Sequence, residues 1–265
     1  MSEVNAEEEQ GPAVVAWTDG SVAVLRIDRA RTRNALTDDV LEGLVEGLDA
    51  AEFDSTVRAV VITGGERFFA SGADIRRLRD LTPAAYMSST RSAAWQRFAR
   101  FPKPMVAAAA GFCLGGGSEL ALLCDFIVAA DNAVFGQPEV GLGILPGAGG
   151  TQRWARVEGR FRAADRALRD RRIDAWAAER HGIVNQVVPA ERVVDAGIAL
   201  AQSVSRFSPV ATRSIKAALR SSEEMPVSAA LDYERSLLGV LLSTEDHLEG
   251  IDAFLEKRPP YFEGR

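Results

Sequence analysis

Short apolar runs recur along the first half of the chain and predict β-strands. The runs are residues 14–17, 22–27, 59–63, 105–110 and 126–130. The first two flank Asp19-Gly20, a dipeptide that favours the tight turn of a β-hairpin. The last three are continuous rather than alternating, which is typical of strands buried on both faces of a sheet. We therefore predict a hairpin followed by three central strands.

Amphipathic stretches separate these runs and predict helices. Leu41, Leu44 and Leu48 fall on one face of a helix predicted over residues 38–51. Further helices are predicted over 74–81, 83–101, 118–124 and, as an amphipathic set, 208–257. Beyond residue 149 the only clear strand signal is Val187-Val188. Strands that alternate with helices are typical of a parallel sheet in an α/β fold.

Composition and charge exclude several classes of function. The chain has 265 residues, of which 47% are hydrophobic, and its net charge is -6. At about 150 residues per domain, this length allows one large domain or two small ones. The acidic balance argues against binding to nucleic acid or to an anionic membrane surface. We therefore expect neither as a partner.

Cysteine and histidine are too scarce for several kinds of site. Two cysteines, Cys113 and Cys124, exclude a disulfide framework and a cysteine-cluster zinc site, and they fit a reducing compartment. His181 and His247 are expected at the surface, which disfavours a Ser-His-Asp hydrolase and a histidine-based metal site, so no metal is predicted. Residues 1–10 lack the basic groups of a signal or transit peptide, and no apolar run reaches the ~20 residues that span a bilayer. The expected location is cytoplasmic.

Two glycine-rich turns are the first candidates for chemistry. They lie at residues 70–75 and 111–120, and each follows a predicted buried strand and leads into a predicted helix. Unpaired backbone N–H groups at a helix start favour negative charge. Two such turns side by side would form an oxyanion hole, in which backbone N–H groups bind one oxygen. Tight turns alone account for the glycines equally well.

Two glutamates near these turns are the candidate acid–base groups. Glu119 falls in the first turn of a predicted helix, where an acid also complements the helix dipole. Glu139 falls in a loop rich in glycine and proline, where an acid is usually only solvated. Both flank apolar stretches, and partial burial raises a carboxyl pKa toward the value that acid–base catalysis needs at neutral pH.

Taken together, these segments resemble the crotonase (enoyl-CoA hydratase/isomerase) family over nearly the whole chain beyond residue 12. The matching segments are 33–36, 70–75, 103–111, 115–121, 135–139, 146–153, 243–246, 249–250 and 253–258. Their order and spacing make chance a poor explanation. One region, 168–178, departs from the family pattern, because Asp170 replaces a turn glycine. Aspartate tolerates left-handed backbone angles better than most residues.

The resemblance implies an α/β fold, namely a crotonase-like spiral of ββα units with a C-terminal helical trimerisation region. It divides the chain into a disordered acidic tail at 1–12, a spiral core with the acyl-CoA site at 13–205, and a C-terminal helical oligomerisation region at 206–265. The implied partners are an acyl-CoA thioester substrate and the chain itself, as a homotrimer or homohexamer. No cofactor is implied, since coenzyme A is part of the substrate.

The resemblance also implies roles for particular residues. The backbone N–H groups of Ala73 and Gly116 would form the oxyanion hole for the thioester carbonyl, and Glu119 and Glu139 would share one water as catalytic groups. The implied substrate- and CoA-binding residues are Ala70, Ser71, Gly72, Asp74, Ile75, Gly147, Phe254 and Lys257. The last two match positions that contact the adenine and phosphate of CoA, often from a neighbouring subunit. The division of proton transfers between the two glutamates stays open.

A glutamate at both positions favours an enoyl-CoA hydratase. This enzyme adds water reversibly to a 2-enoyl-CoA to give a 3-hydroxyacyl-CoA, in the degradation of fatty acids or related acyl-CoA esters. Two alternatives remain. An enoyl-CoA isomerase would need only one carboxylate, and a non-catalytic acyl-CoA-binding homologue would keep the fold without turnover. Acyl-chain length and branching are not predicted.

Overall fold

The computed structural model describes residues 11–87 and 89–265, so the predicted tail over 1–12 lies outside the described residues as far as residue 10. The strands are β1 Val14–Asp19, β2 Val22–Ile27, β3 Ala59–Thr63, β4 Met105–Ala109, β5 Phe112–Leu114, β6 Phe126–Ala130, β7 Val134–Gly136, β8 Ile173–Asp174 and β9 Gln186–Val188. The helices are α1 Asp38–Phe53, α2 Ile75–Arg79, α3 Pro83–Met87, α4 Thr90–Arg100, α5 Gly116–Ala121, α6 Gly150–Glu158, α7 Arg160–Arg169, α8 Ala175–Arg180, α9 Val193–Ser205, α10 Pro209–Glu224, α11 Val227–Leu241 and α12 Glu245–Glu256.

Six strands form the main sheet, in the order β1-β2-β3-β4-β6-β9. The first two pair antiparallel as the predicted hairpin, and every later pairing in this sheet is parallel. In the centre, Val61 of β3 lies opposite Val106 of β4. The parallel α/β sheet predicted from the apolar runs is confirmed.

Both faces of the main sheet are covered, which explains the continuous apolar runs. Alternate side chains of β3 point to opposite faces. Val60 and Ile62 join the apolar cluster that includes the buried face of α1, whereas Val61 joins the cluster that includes α9. A Cβ on Gly197 of α9 would lie 2.9 Å from the Cβ of Ala108, so glycine lets this helix approach the sheet closely.

A second sheet of three short strands, in the order β5-β7-β8, lies beside the first. These strands have two or three residues each, and the apolar runs of the sequence do not predict them. A two-residue bridge between Ala70 and Cys113 connects the turn after β3 to β5. Both predicted glycine turns therefore meet at the edge where the two sheets come together.

Several helix predictions need correction. The single helix predicted over 83–101 is wrong: α3 ends at Met87, and Ser89 has extended backbone angles (φ -72°, ψ 146°) before α4 begins. Helix α5 begins at Gly116, two residues before its predicted start, and ends at Ala121. From α10 onward the chain is helical up to residue 256, as predicted. Within residues 11–87 and 89–265, none of the helices combines enough length and apolar character to span a bilayer.

Candidate active site

The two glycine turns pack directly on each other. Ala70 joins them, because its N–H donates to the carbonyl of Phe112 at 2.9 Å and its own carbonyl accepts from the N–H of Leu114 at 3.1 Å. A Cβ on Gly117 would lie 2.8 Å from the Cβ of Ala70. Glycine at this position thus lets the start of α5 approach the first turn.

The backbone N–H groups of Ala73 and Gly116 are a pair of free donors. A Cβ on Gly116 would lie 3.7 Å from the nitrogen of Ala73, so the two turns are adjacent at this point. Gly116 opens α5, where an N–H has no partner within the helix. Across the described ranges, neither N–H donates to an acceptor of the protein. Two adjacent free donors can bind one oxygen that gains negative charge.

Glu119 lies in the first turn of α5 and is only 3% exposed. Its Oε1 accepts the N–H groups of Ala148 and Gly150, each at 2.7 Å. Burial raises the pKa of Glu119, while these two donors and the positive charge of Arg153 act in the opposite direction. These three contacts stabilise the ionised carboxylate, but burial outweighs them, so the pKa of Glu119 lies above its usual value of 4.5.

Glu139 lies on a short 3-10 turn, Pro138–Leu142, that follows β7. A Cβ on Gly115 would lie 2.8 Å from Oε1 of Glu139, so this carboxyl rests against the second glycine turn. Burial, with the negative charges of Glu119 and Asp170, raises the pKa of Glu139 from 4.5 to about 7. Near neutral pH a large share of Glu139 therefore carries a proton.

Gln137, which is buried, contacts the carboxyl group of Glu139. With the amide oriented so that both neighbours are satisfied, its side-chain nitrogen lies 2.9 and 3.1 Å from the two carboxyl oxygens, and its oxygen accepts the indole N–H of Trp154 at 3.0 Å. Trp154 is itself buried on α6. Gln137 lies in the matching segment 135–139, but the sequence does not indicate this role, because its partner Trp154 lies 17 positions further along the chain.

The arrangement supplies the parts of an acid–base reaction at an acyl group. Burial raises the pKa of both glutamates, but N–H donors and Arg153 oppose this at Glu119, whereas the negative charges of Glu119 and Asp170 raise the pKa of Glu139 further, to about 7. A pair of carboxyls whose environments separate their protonation states can act as base and acid in one step. Beside them, the free N–H groups of Ala73 and Gly116 can hold an oxyanion.

The resemblance also implies that the N–H of Gly147 helps to hold the water or Glu139, and the loop before α6 that carries Gly147 contacts Glu119. Ala148 and Gly150, rather than Gly147, donate N–H groups to Glu119. The carbonyl of Gly147 accepts the hydroxyl of Tyr86 on α3 at 3.4 Å. The predicted contact of the Gly147 N–H with a water or with Glu139 stays a prediction.

Other predicted site residues shape the first turn. Gly72 has a left-handed φ of 109°, and its carbonyl accepts the N–H of Leu36 at 2.8 Å. Asp74 caps α2, because its Oδ1 accepts the N–H of Arg76 at 3.0 Å. Ser71 is half-buried beside it, and Ile75 is 59% exposed at the start of the helix.

Within one chain, the predicted CoA-binding residues Phe254 and Lys257 form no bond with the two glutamates of the site. Phe254 is 82% exposed on α12, and Lys257 is exposed just beyond the helix with a left-handed φ of 56°. Among the described residues, neither forms a hydrogen bond or ion pair with Glu119 or Glu139. Their role in binding CoA stays a prediction.

The departure at 168–178 behaves as the sequence predicts. Asp170 follows the end of α7 and adopts a left-handed φ of 49°. Its carboxylate pairs with Arg172 at 3.3 Å, and its charge contributes to the raised pKa of Glu139. The replacement thus keeps the turn and places an additional negative charge near the site.

The surface position expected for His181 is wrong. This half-buried side chain lies 3.1 Å from the buried carboxylate of Glu158, which also pairs with buried Arg166 at 3.3 Å. The cluster ties α6, α7 and the end of α8 together. Over the described stretches of the chain, no group of three or more His, Cys, Asp or Glu side chains is placed to hold a metal ion.

Comparison with known sequences gives one family and several named relatives. The family model for enoyl-CoA hydratase/isomerase matches residues 18–265. A 2,3-dehydroadipyl-CoA hydratase of Escherichia coli is 45% identical, with 92% of this chain and 96% of the relative covered. A probable enoyl-CoA hydratase of Mycobacterium tuberculosis is 41% identical, with 95% of this chain and 98% of the relative covered.

Solved structures with similar folds agree with this result. An enoyl-CoA hydratase subunit of Geobacillus kaustophilus superposes with a TM-score of 0.92 at 39% identity and covers 96% of this chain and 98% of its own. An enoyl-CoA hydratase of Bacillus anthracis gives 0.89 at 33% identity and covers 96% of this chain and 100% of its own. The predicted crotonase-like spiral is confirmed by these likenesses.

Proposed function

The chain belongs to the enoyl-CoA hydratase/isomerase family, and on that premise we propose that it is an enoyl-CoA hydratase. It adds water reversibly across the double bond of a 2-enoyl-CoA to give a 3-hydroxyacyl-CoA. The observation that carries the proposal is the pair of buried glutamates: two N–H donors and Arg153 oppose the effect of burial at Glu119, whereas burial and two negative neighbours raise the pKa of Glu139 to about 7. Both lie beside two free backbone donors.

The oxyanion hole is the first part of the mechanism. The thioester carbonyl oxygen binds the N–H groups of Ala73 and Gly116, which have no other acceptor in the described residues. When water attacks the β-carbon, electrons move through the double bond to this oxygen. The two donors stabilise that charge more strongly in the transition state than in the bound substrate, which is the requirement for catalysis.

The two glutamates complete the addition of water. Ionised Glu119 takes one proton from the water as its oxygen bonds to the β-carbon. Protonated Glu139 then gives its proton to the α-carbon as the enolate collapses to the thioester. One oxygen and two hydrogens are added, and proton exchange with solvent restores both carboxyls. The contacts support this division, since N–H donors and Arg153 stabilise the Glu119 carboxylate, while burial and the charges of Glu119 and Asp170 raise the pKa of Glu139 to about 7.

Replacing each glutamate tests the proposal. Glu119→Gln and Glu139→Gln keep size and hydrogen bonding but remove proton transfer, so each should lower kcat for hydration by about 10²–10⁴-fold. The assay follows loss of the conjugated thioester absorbance of crotonyl-CoA. The exposed Glu46→Gln is the matched control and should leave kcat unchanged. The two effects should combine less than additively, because both groups act on one water.

The same assays separate the two alternative functions. A wild-type protein that binds acyl-CoA but hydrates no enoyl-CoA would be a binding homologue. A protein that shifts the double bond of 3-enoyl-CoA and needs only one of the two glutamates would be an isomerase. Either outcome would overturn the hydratase proposal.

The proposed substrates are acyl-CoA esters, and the identity of the acyl chain is the next question. One relative is named for 2,3-dehydroadipyl-CoA and others are named only for enoyl-CoA. Comparing kcat/KM for crotonyl-CoA and for 2,3-dehydroadipyl-CoA would decide between a short apolar chain and a chain that ends in a carboxylate.

The remaining parts of the proposal concern assembly and location. The chain assembles into a homotrimer or homohexamer, in which Phe254 and Lys257 bind CoA of a neighbouring subunit. The large exposure of Phe254 in a single chain supports this. A cytoplasmic location is supported by the two free cysteines, which suit a reducing compartment. The chemistry described needs no group beyond the CoA of the substrate.

A further inference from the structure

Arg153 lies on the first turns of α6, half-buried behind the loop that holds Glu119. Its Nη1 donates to the carbonyl of Ala148 at 2.8 Å. The guanidinium also lies against Gly149, where a Cβ would collide with Nη1. Gly149 has a left-handed φ of 102°, so the loop needs glycine here for both its backbone angles and its contact with Arg153.

The carbonyl that Arg153 holds belongs to the peptide between the two donors of Glu119. The N–H of Ala148 lies on one side of this peptide, and the N–H of Gly150 lies on the other side. Fixing the carbonyl restricts rotation of the whole segment. Arg153 therefore controls whether both N–H groups point at Oε1 of Glu119.

We propose that Arg153 is a positioning residue for hydration, which holds the Ala148–Gly150 loop on Glu119 and supplies a positive charge to that carboxylate. The inference rests on the proposed function of Glu119 as the base. Arg153 touches neither substrate nor reacting atoms in this mechanism. It acts through the loop and through its charge.

The charges around Arg153 link the site to the C-terminal helices. Besides Glu119, it faces Glu223 and Glu224 at the end of α10, and Arg156 on its own helix. The guanidinium of Arg156 also donates to the carbonyl of Glu223 at 3.4 Å, which places the end of α10 against α6. Arg153 thus lies between the catalytic carboxylate and acidic groups of the last part of the chain.

Around Glu119 the charged groups are few. Arg153 faces it from α6, and Glu139 faces it from the 3-10 turn, with Asp170 acting on Glu139. The positive charge of Arg153 lowers the pKa of Glu119 against the effect of burial. Removal of that charge should therefore raise the pKa of Glu119, and the pH limb that Glu119 controls should move to higher pH.

Arg153→Met and Arg153→Lys test the proposal in the full-length protein. The Met variant should lower kcat by about 10–100-fold, because a catalytic group that shifts by a fraction of an ångström loses much of its effect. KM should change less than about twofold if binding is untouched. The Lys variant keeps the charge and one donor, so it should return the pH limb to its wild-type position and recover part of kcat.

Arg156→Met is the matched control, since it removes an exposed arginine from the same helix, and its kcat and pH profile should equal those of the wild type. The proposal is overturned if Arg153→Met leaves both kcat and the pH limb unchanged, or if it raises KM alone. It is also overturned if Arg156→Met gives the same changes. If the Met variant does not fold, judged by circular dichroism, Arg153→Lys decides: a wild-type pH limb with reduced kcat supports the role, and a shifted limb contradicts it.

A second measurement does not depend on turnover. Infrared difference spectra between each protein and its Glu119→Gln version follow ionisation of this carboxyl against pH. The titration should move to higher pH in Arg153→Met and stay in place in Arg156→Met. An unchanged titration overturns the proposal even if hydration is confirmed. A shifted titration in a protein that hydrates nothing overturns the proposed function alone.

Discussion

Glu119 and Glu139 carry the same side chain in different surroundings, and this difference supports the roles proposed for them. Glu119 is buried but accepts two backbone N–H groups and faces Arg153. Glu139 has Gln137 as its side-chain donor and faces two further carboxylates. A positive neighbour favours the ionised form, and negative neighbours favour the protonated form.

The pH dependence of hydration should report the proton on Glu139. Its pKa is raised to about 7, so the carboxyl is mostly protonated at pH 6 and mostly ionised at pH 8. In the proposed mechanism protonated Glu139 donates to the α-carbon, so kcat/KM for hydration should fall as pH rises through this value. Measurements of kcat/KM from pH 5 to 9 would show the limb. A limb that persists unchanged in the residual activity of Glu139→Gln would contradict the assignment.

Gly115 matters both for the backbone conformation of the second glycine turn and for the position of the Glu139 carboxyl. Its φ is 53°, and a Cβ there would lie 2.8 Å from Oε1 of Glu139. Gly115→Ala should therefore lower the free energy of unfolding by about 1–3 kcal/mol through backbone strain. It should also lower kcat, because the new methyl group displaces the carboxyl. Chemical denaturation and the hydration assay measure the two effects.

Gly141→Ala is the matched control for this substitution. Gly141 lies on the turn that carries Glu139, and a Cβ on it would meet nothing within 4 Å. Its unfolding free energy and kcat should remain close to those of the wild type. Equal losses in both variants would show that the turn as a whole, and not the Gly115 contact, is sensitive.

Motifs in the sequence identify residues that lie within them, but they do not identify residues that act through distant partners. Ala73, Gly116, Glu119 and Glu139 lie within motifs, and the structure brings the turns that carry them together. The role of Gln137 depends on Trp154, which lies far along the chain. The role of Arg153 depends on Ala148 and Glu119, which belong to other turns. No pattern of residue types specifies such contacts in a single sequence.

At the scale of elements, long apolar runs predicted the strands that are buried on both faces, and short strands escaped. Strands β5, β7 and β8 have two or three residues, too few to show an alternation or a run. The division of the predicted 83–101 helix has only a weak signal, the N-cap residue Ser89, since neither proline nor glycine interrupts the stretch beyond Pro83. Tertiary contacts decide such boundaries.

The end of α1 depends on one buried lysine. Lys103, only 4% exposed, donates through Nζ to the carbonyls of Ala51, Asp54 and Val57 at 2.6, 2.8 and 2.7 Å. Lys103→Met leaves the carbonyls of Ala51 and Val57 without this donor, whereas the carbonyl of Asp54 still accepts the N–H of Val57 at 3.2 Å. Each buried unpaired group costs about 1–3 kcal/mol. We expect a loss of roughly 2–4 kcal/mol in the free energy of unfolding, measured by urea denaturation.

The control for the α1 prediction is the exposed Lys257→Met, which should change the free energy of unfolding by less than about 0.5 kcal/mol. A Lys103→Met protein as stable as the wild type would show that water replaces the lysine at these carbonyls.

At the scale of the whole molecule, the C-terminal helices expose more apolar surface than a single chain usually leaves in water. Helix α11 has no buried residue in the single chain. Exposed apolar side chains on or beside α10 to α12 are Ile215, Leu219, Val227, Leu231, Leu238, Val240, Leu242, Leu248, Ile251, Phe254 and Leu255. So many exposed apolar side chains on three consecutive helices are typical of an interface between proteins.

Self-association should therefore be measurable at micromolar concentration. Light scattering should give the mass of a trimer or hexamer, and a double substitution of Leu238→Glu with Val240→Glu should shift the protein to smaller species. Glu234→Gln, an exposed polar change on α11, is the control and should not alter the mass. A wild-type protein that stays monomeric would contradict the prediction.

The last prediction asks whether CoA binds across two subunits. If Lys257 meets a phosphate of CoA, Lys257→Ala should weaken binding of CoA esters about fivefold, roughly 1 kcal/mol for a partly exposed charge contact, and spare pantetheine thioesters. Mixed assemblies of Lys257→Ala and Glu119→Gln chains identify the subunit that supplies the lysine. If a neighbour supplies it, sites in the Lys257→Ala chains regain wild-type kcat/KM beside Glu119→Gln chains, whose Lys257 is intact. If each chain serves its own site, every site in the mixture keeps one defect and no activity returns.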